Sequence, residues 1–472
     1  MKVRCLFLLA LTAAAGLLSP CAQAAVKLPA IFGDHMVLQR EQPLPVWGWD
    51  EPGKEVTVTL GDAKATAKTD ASGKWLVKLP ALKAGGPLTL TVVGTSQEIR
   101  NDILVGEVWI CSGQSNMEMD VNSSNNAAEE KAAANHPQIR HIKITRVPAA
   151  TPQTDVAAGG WQVCTPQTVG GFTAAGYFFG RQLQQTLNVP IGLIGSNWGG
   201  TRIEPWTPPA GFQQVPALKD IADKLDTFPS KDANGNVNHQ SPLALYNSMI
   251  HPLVPYAIRG AIWYQGESNN GEGMLYFEKM KALIGGWRTV WCNPELAFHF
   301  VQLAPFRYGG DPTKLAGIWE AQTATLSVPH TGMAVTVDIS NLTDIHPKNK
   351  QDVGKRLALW ALAQDYCKTD LVYSGPLYKS MQVDGNKIRL SFDHVGGGLV
   401  SRDGQPLTRF AIAGEDQKFV EAKAEIDGKT VVVQADAVAK PVAVRFGWHQ
   451  ESEPNLSNKE GLPASPFRTD KW

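Results

Sequence analysis

An excess of charge of either sign is missing from this sequence. Lys and Arg together number 44, Asp and Glu also 44, and no block of like charges interrupts the chain. Nucleic acid or an anionic membrane surface would therefore meet no complementary field. Past the N-terminal segment no apolar run is long enough to span a membrane. Cysteine is scarce too: there are six, Cys5, Cys21, Cys111, Cys164, Cys292 and Cys367. Their wide spacing argues against a zinc site. Internal repeats and low-complexity segments are absent, and the glycine-rich stretch Gly192 to Gly200 lacks the G-x-G-x-x-G spacing of a dinucleotide fingerprint.

What is present begins with Lys2 and Arg4, followed by an apolar run and the small-x-small site Ala22-Gln23-Ala24. This predicts a secretory signal over residues 1–24, cut after Ala24, and a secreted or periplasmic protein. A lipoprotein reading through Cys21 competes, but Pro20 sits badly before that cysteine. Cys111, Cys164, Cys292 and Cys367 then lie where disulfides are permitted, with the pairing left open.

A chain of 472 residues exceeds one ordinary core. Three regions follow from its periodicity. Residues 25–102 read as a small β-sandwich, with VTVTL, KWLVKL and LTLTVVG as strands bounded by turn residues. Residues 103–371 alternate strands (VGEVWIC, VPIGLIG, RGAIWYQ, FHFVQLA, GMAVTVDI) with helical patterns. In the helices Phe179, Leu183 and Leu187 recur on one face, as do Val353, Leu357 and Ala361. This predicts an α/β domain with a largely parallel sheet covered on both sides. Residues 372–472 return to β, with KIRLSF, TVVVQA and PVAVRFGW suggesting a second sandwich.

Ligands bind beyond the carboxyl ends of such a sheet. Four polar clusters fall there: Gly113-Gln114-Ser115-Asn116, Ser196-Asn197-Trp198-Gly199-Gly200-Thr201, Gln265-Gly266-Glu267-Ser268-Asn269 and Asp344-Ile345-His346-Pro347. Ser115 as nucleophile, His346 as base and a nearby acid would form an ester-hydrolysing triad, with glycine N–H groups and the Gln265 amide as oxyanion donors. Blander readings attach to several residues. Ser115 alone would be a turn serine, and His346 the start of a helix with Pro347 at its first position. Asp338 orients a loop, and Arg202 with Glu204 makes either a substrate contact or a structural ion pair. His136 and His141 read as surface residues, Cys111 as an inert strand thiol, and Glu118 and Asp120 as a weak glycosidase pair.

The motifs GQSNM, SNWGGT, WYQGESN and DIHPKNK, with the flanking MVLQREQPLPVWGW and GLPASPFRTD, resemble those of the sialate O-acetylesterase family among the SGNH-type hydrolases. That resemblance implies a flavodoxin-like α/β/α catalytic domain flanked by the two small β-sandwiches, acting without metal or other cofactor on O-acetylated sugars. It implies Ser115 as nucleophile and His346 as base, and an oxyanion hole from the N–H groups of Ser115 and Gly200 with the Gln265 side chain. Asn116, Arg202 and Asn269 are candidate substrate contacts. The wider pattern puts an aspartate three residues before the histidine, where this chain has Thr343 and carries Asp344 instead. Asp344 is the first choice of orienting acid and Glu267 the alternative. Acetylated xylan or xyloglucan would present the same ester as sialic acid. A non-catalytic glycan-binding protein on this scaffold is the reading of a different class, and a lipase or thioesterase would need an apolar tunnel that these polar clusters do not predict. Oligomeric state is open.

Overall fold

The computed structural model describes residues 25–472, so the expected signal segment with Cys5 and Cys21 lies outside it. The fold is α/β with mixed sheets. Its centre is a parallel sheet of six strands: β1 (Gln97–Gly113), β2 (His136–Lys143), β3 (Ile191–Asn197), β4 (Gly260–Tyr264), β5 (Ala297–Val301) and β6 (Thr331–Ala334), in spatial order β6-β5-β4-β1-β3-β2. Gln162–Cys164 adds an antiparallel edge to β2. The sequence signals for β1, β3, β4, β5 and β6 all correspond to strands here. β2 was not anticipated, because Pro137, Arg140 and His141 break its apolar run.

Burial explains why the middle strands read as unbroken apolar runs. Every residue of β3, β4 and β5 is buried, as both faces of a parallel sheet must be. The helices that bear on the site include α1 (Ser115–Glu118), α2 (Ala174–Leu187), α3 (Leu275–Val290), α4 (Lys314–Thr325) and α5 (Lys350–Gln364). Trp109 of β1 meets Phe179 of α2 edge-on at 5.0 Å, while Trp263 of β4, on the opposite face, meets Trp287 of α3 at 6.5 Å. Helix α5 packs beside α2, with Gly354 against Phe178 and Phe179. Asn349 caps α5 by accepting the Asp352 N–H.

Strand β1 serves two sheets. Its first half pairs antiparallel with Gly85–Val93, which continues to Glu55–Leu60 and Ala63–Lys68, while its second half pairs parallel with β3 and β4. The strand runs unbroken through positions 102 and 103, and one apolar core extends from Val26 to Leu362. Beyond it, four- and two-stranded antiparallel sheets between Leu377 and Arg468 enclose a separate core around Ile388, Phe410, Val431 and Phe446. This C-terminal region braces the loop after β6: Glu453 accepts from Ser340, and Gln450 accepts the Phe306 N–H.

Cys111, Cys164, Cys292 and Cys367 are all free thiols. Burial pushes the Cys111 thiol up, so it is inert as expected. His141 corrects its expectation. It is buried at 3 % exposure, stacks on Phe172 at 4.7 Å, and burial with Lys143 nearby pulls its imidazole down to about 3.

Candidate active site

Strand β1 ends against β4, and the polar knot after it begins where the two backbones nearly touch. Gly113 holds φ +131°, and a Cβ there would lie 2.2 Å from the Tyr264 carbonyl oxygen, so no other residue fits. Gln114 N–H then donates to that carbonyl, and the chain turns into the single-turn helix α1 with Ser115 as its first residue. The Ser115 amide sits where a helix leaves N–H groups without internal acceptors.

Across the site, the loop after β6 delivers His346. Asn341 Oδ1 accepts the N–H groups of Thr343 and Asp344, folding the loop tightly and spending Thr343 on the turn. Asp344 Oδ1 accepts the His346 N–H at 2.9 Å and lies 3.6 Å from His346 Nδ1. His346 Nε2 lies 2.8 Å from Ser115 Oγ, hydrogen-bond distance for a general base and its nucleophile. In the tautomer with its proton on Nδ1, the side facing Asp344, Nε2 would accept the serine O–H.

The third loop closes the site's other wall. A Cβ on Gly199 would lie 3.2 Å from Ser115 Cβ. Gly200 takes φ +75° with open space beside it. Its carbonyl accepts from Gln240 Nε2, and its N–H has no acceptor among the described residues.

Comparisons with known proteins give the family. The family model described as carbohydrate esterase, sialic acid-specific acetylesterase matches residues 105–363. The chain belongs to this family. The human sialate O-acetylesterase is 30 % identical, over 93 % of this chain and 92 % of its own. The rat sialate O-acetylesterase is 31 % identical, over 89 % of each. A crystal structure of a carbohydrate acetylesterase from Xanthomonas citri superimposes with a TM-score of 0.87 at 44 % identity, covering 95 % of this chain and all of the other. The protein is accordingly a carboxylic ester hydrolase.

Three of the expected site residues sit elsewhere in this esterase. Asn116 is buried and saturated: Nδ2 donates to Glu267 Oε1 at 2.6 Å and to the Ile345 carbonyl at 2.9 Å, and Oδ1 accepts from Lys350. Asn269 is likewise interior, accepting from Ile203 N–H and Gln265 and donating to Glu204 and Glu272. Neither retains an amide proton for substrate. Gln265, expected in the oxyanion hole, donates both its protons to Thr201 O and Asn269 Oδ1, and its Oε1 accepts from Tyr276. It shapes the Thr201 loop instead.

Gln114 is better placed than Gln265 to point a side-chain amide at the site. Its Oε1 accepts the Ser268 N–H at 3.3 Å, which leaves Nε2 without a partner among the described residues. Sequence reasoning passed over it as part of the turn. Arg202 belongs to an ion network with Glu204, Glu272 and Lys279, and its guanidinium also donates to the Ser268 carbonyl. Burial would raise the Glu204 carboxyl, but Lys279 and Arg202 outweigh it and hold it at about 2. The structural side of the Arg202–Glu204 alternative is the one observed. Glu267 accepts nothing from His346. Its Oε1 takes the Asn116 amide, its Oε2 is buried without a partner, and burial pushes the acid up.

The remaining polar residues are structural. Asp338 makes a two-pronged pair with Arg356 at 2.6 and 2.7 Å, Glu118 accepts the Gly199 N–H and pairs with Arg146, and Asp120 caps the turn at Val121–Ser123. Beside the site Trp198, of the SNWGGT motif, stacks on His239 of a distant loop at 4.8 Å.

Proposed function

We propose that the protein removes O-acetyl groups from carbohydrate through an acetyl-serine intermediate. Ser115 Oγ attacks the acetyl carbonyl carbon as its proton passes to His346 Nε2, and the N–H groups of Ser115 and Gly200 receive the developing oxyanion. The C–O bond to the sugar breaks, and the sugar oxygen takes the proton from His346. Water, deprotonated by the same imidazole, then releases acetate and restores the serine. Asp344 keeps the imidazole oriented. No cofactor enters this route.

The observation that carries this reading is the 2.8 Å separation of Ser115 Oγ and His346 Nε2 at the carboxyl end of a parallel sheet. The α/β region with its two flanking β regions fits an SGNH-type, flavodoxin-like catalytic domain between small β-sandwiches. Residues 1–24 are read as an export signal, which places the enzyme outside the cytoplasm, where acetylated glycans are met. Sialate esters are suggested by the names of the mammalian relatives; the broader name of the Xanthomonas citri enzyme keeps xylan and xyloglucan in view.

The test is acetate release from O-acetylated sialic acid, xylan and xyloglucan by the mature protein, with intact-mass detection of an acetyl group on Ser115 after rapid quench. Serine-dependent release from one of them supports the reading and names the sugar. Glycan binding without release would favour the non-catalytic alternative.

A further inference from the structure

Lys350 is the first residue of α5, fully buried, and plays no part in the proton transfers above. Its Nζ donates to Asn116 Oδ1 at 2.8 Å and to the Pro347 carbonyl at 2.5 Å, and lies over the Tyr264 ring at 5.4 Å. Asn116 follows the nucleophile in sequence, and Pro347 follows the base. Asn116 in turn donates to the carbonyl of Ile345, the residue before the base, and to Glu267. One lysine and one asparagine thereby tie the peptide groups on both sides of His346 to the residue beside Ser115.

We propose that Lys350 is a positioning residue of the esterase, a buried clamp that, through Asn116, fixes the His346 loop at hydrogen-bonding distance from Ser115. The inference rests on the reading of Ser115 and His346 as the reacting pair. Its physical basis is that both ends of that pair sit on short segments, α1 and a loop, that come from distant parts of the chain. A misplacement of about 1 Å between reacting groups can cost about a hundredfold in rate. A buried lysine is costly to desolvate, and here burial pulls its ammonium down to about 7, against the opposing pull of Glu267 and Asp344. The neutral amine has two N–H donors for its two acceptors, so the clamp persists when the charge is lost. A methionine at the same site would fill similar volume but donate nothing.

The experiment compares wild type, Lys350→Met and the exposed control Lys348→Met for kcat and KM on 4-nitrophenyl acetate. The rate of Ser115 labelling by a fluorophosphonate and the thermal melt are followed alongside. The clamp predicts that kcat and the labelling rate fall together by about tenfold or more in Lys350→Met, with KM within about twofold and Lys348→Met unchanged. A smaller fall in folded protein, or one carried mainly by KM, overturns it. If Lys350→Met does not fold, Lys350→Leu, which likewise donates nothing, is measured against the same thresholds. Wild type that fails to label at Ser115 would instead remove the reading of the reacting pair, so the two failures are told apart.

Discussion

The Asn116 side chain donates to the Ile345 carbonyl at 2.9 Å, joining the neighbour of Ser115 to the neighbour of His346. Ser115 and His346 stand 231 positions apart in the chain, and their contact is held by such bonds from adjoining residues. On the proposed clamp, activity depends on groups that never meet the substrate.

The acid that orients His346 is settled by comparing two isosteric variants. Asp344→Asn removes the negative charge 3.6 Å from Nδ1, and kcat should fall by about a hundredfold or more with little change in melting temperature. Glu267→Gln keeps an acceptor for Asn116, so kcat should fall by less than about tenfold. The reverse order in steady-state kinetics would move the role to Glu267.

Acid stability follows from Glu204. Its folded pKa, about 2, lies below the ordinary carboxylate value, so the folded state holds fewer protons than the unfolded one between those values. Stability from this group is then fully present above about pH 4.5 and lost as pH falls toward about 2, on the order of 3 kcal/mol in all. Glu204→Gln should lower the melting temperature at pH 7 and flatten its decline from pH 5 to pH 3. An unchanged slope in scanning calorimetry would show that the network with Lys279 and Arg202 contributes little to acid stability.

Much of the sheet was legible because a parallel strand buried on both faces writes itself as an apolar run, as at Ile191–Asn197. The meeting of Ser115 and His346 was legible because both lie in polar clusters at strand ends, where a parallel sheet gathers its loops. β2 was hidden because Arg140 and His141 are buried there by tertiary partners, Asp102 and Phe172, that no local pattern contains. The same limit explains Asn116, Asn269 and Gln265. Adjacency to a site in sequence does not say whether an amide faces the substrate or the interior, and all three turned inward to satisfy buried partners. Lys350 stood in the quoted motif DIHPKNK, yet only its burial reveals its place.

The most direct measurement is acetate release by Ser115→Ala beside wild type on an O-acetylated glycan that wild type hydrolyses, with circular dichroism to establish that both are folded. A nucleophile placed 2.8 Å from its base predicts a loss of about a thousandfold or more in kcat/KM. Ser115→Ala retaining activity within about tenfold of wild type would contradict the account.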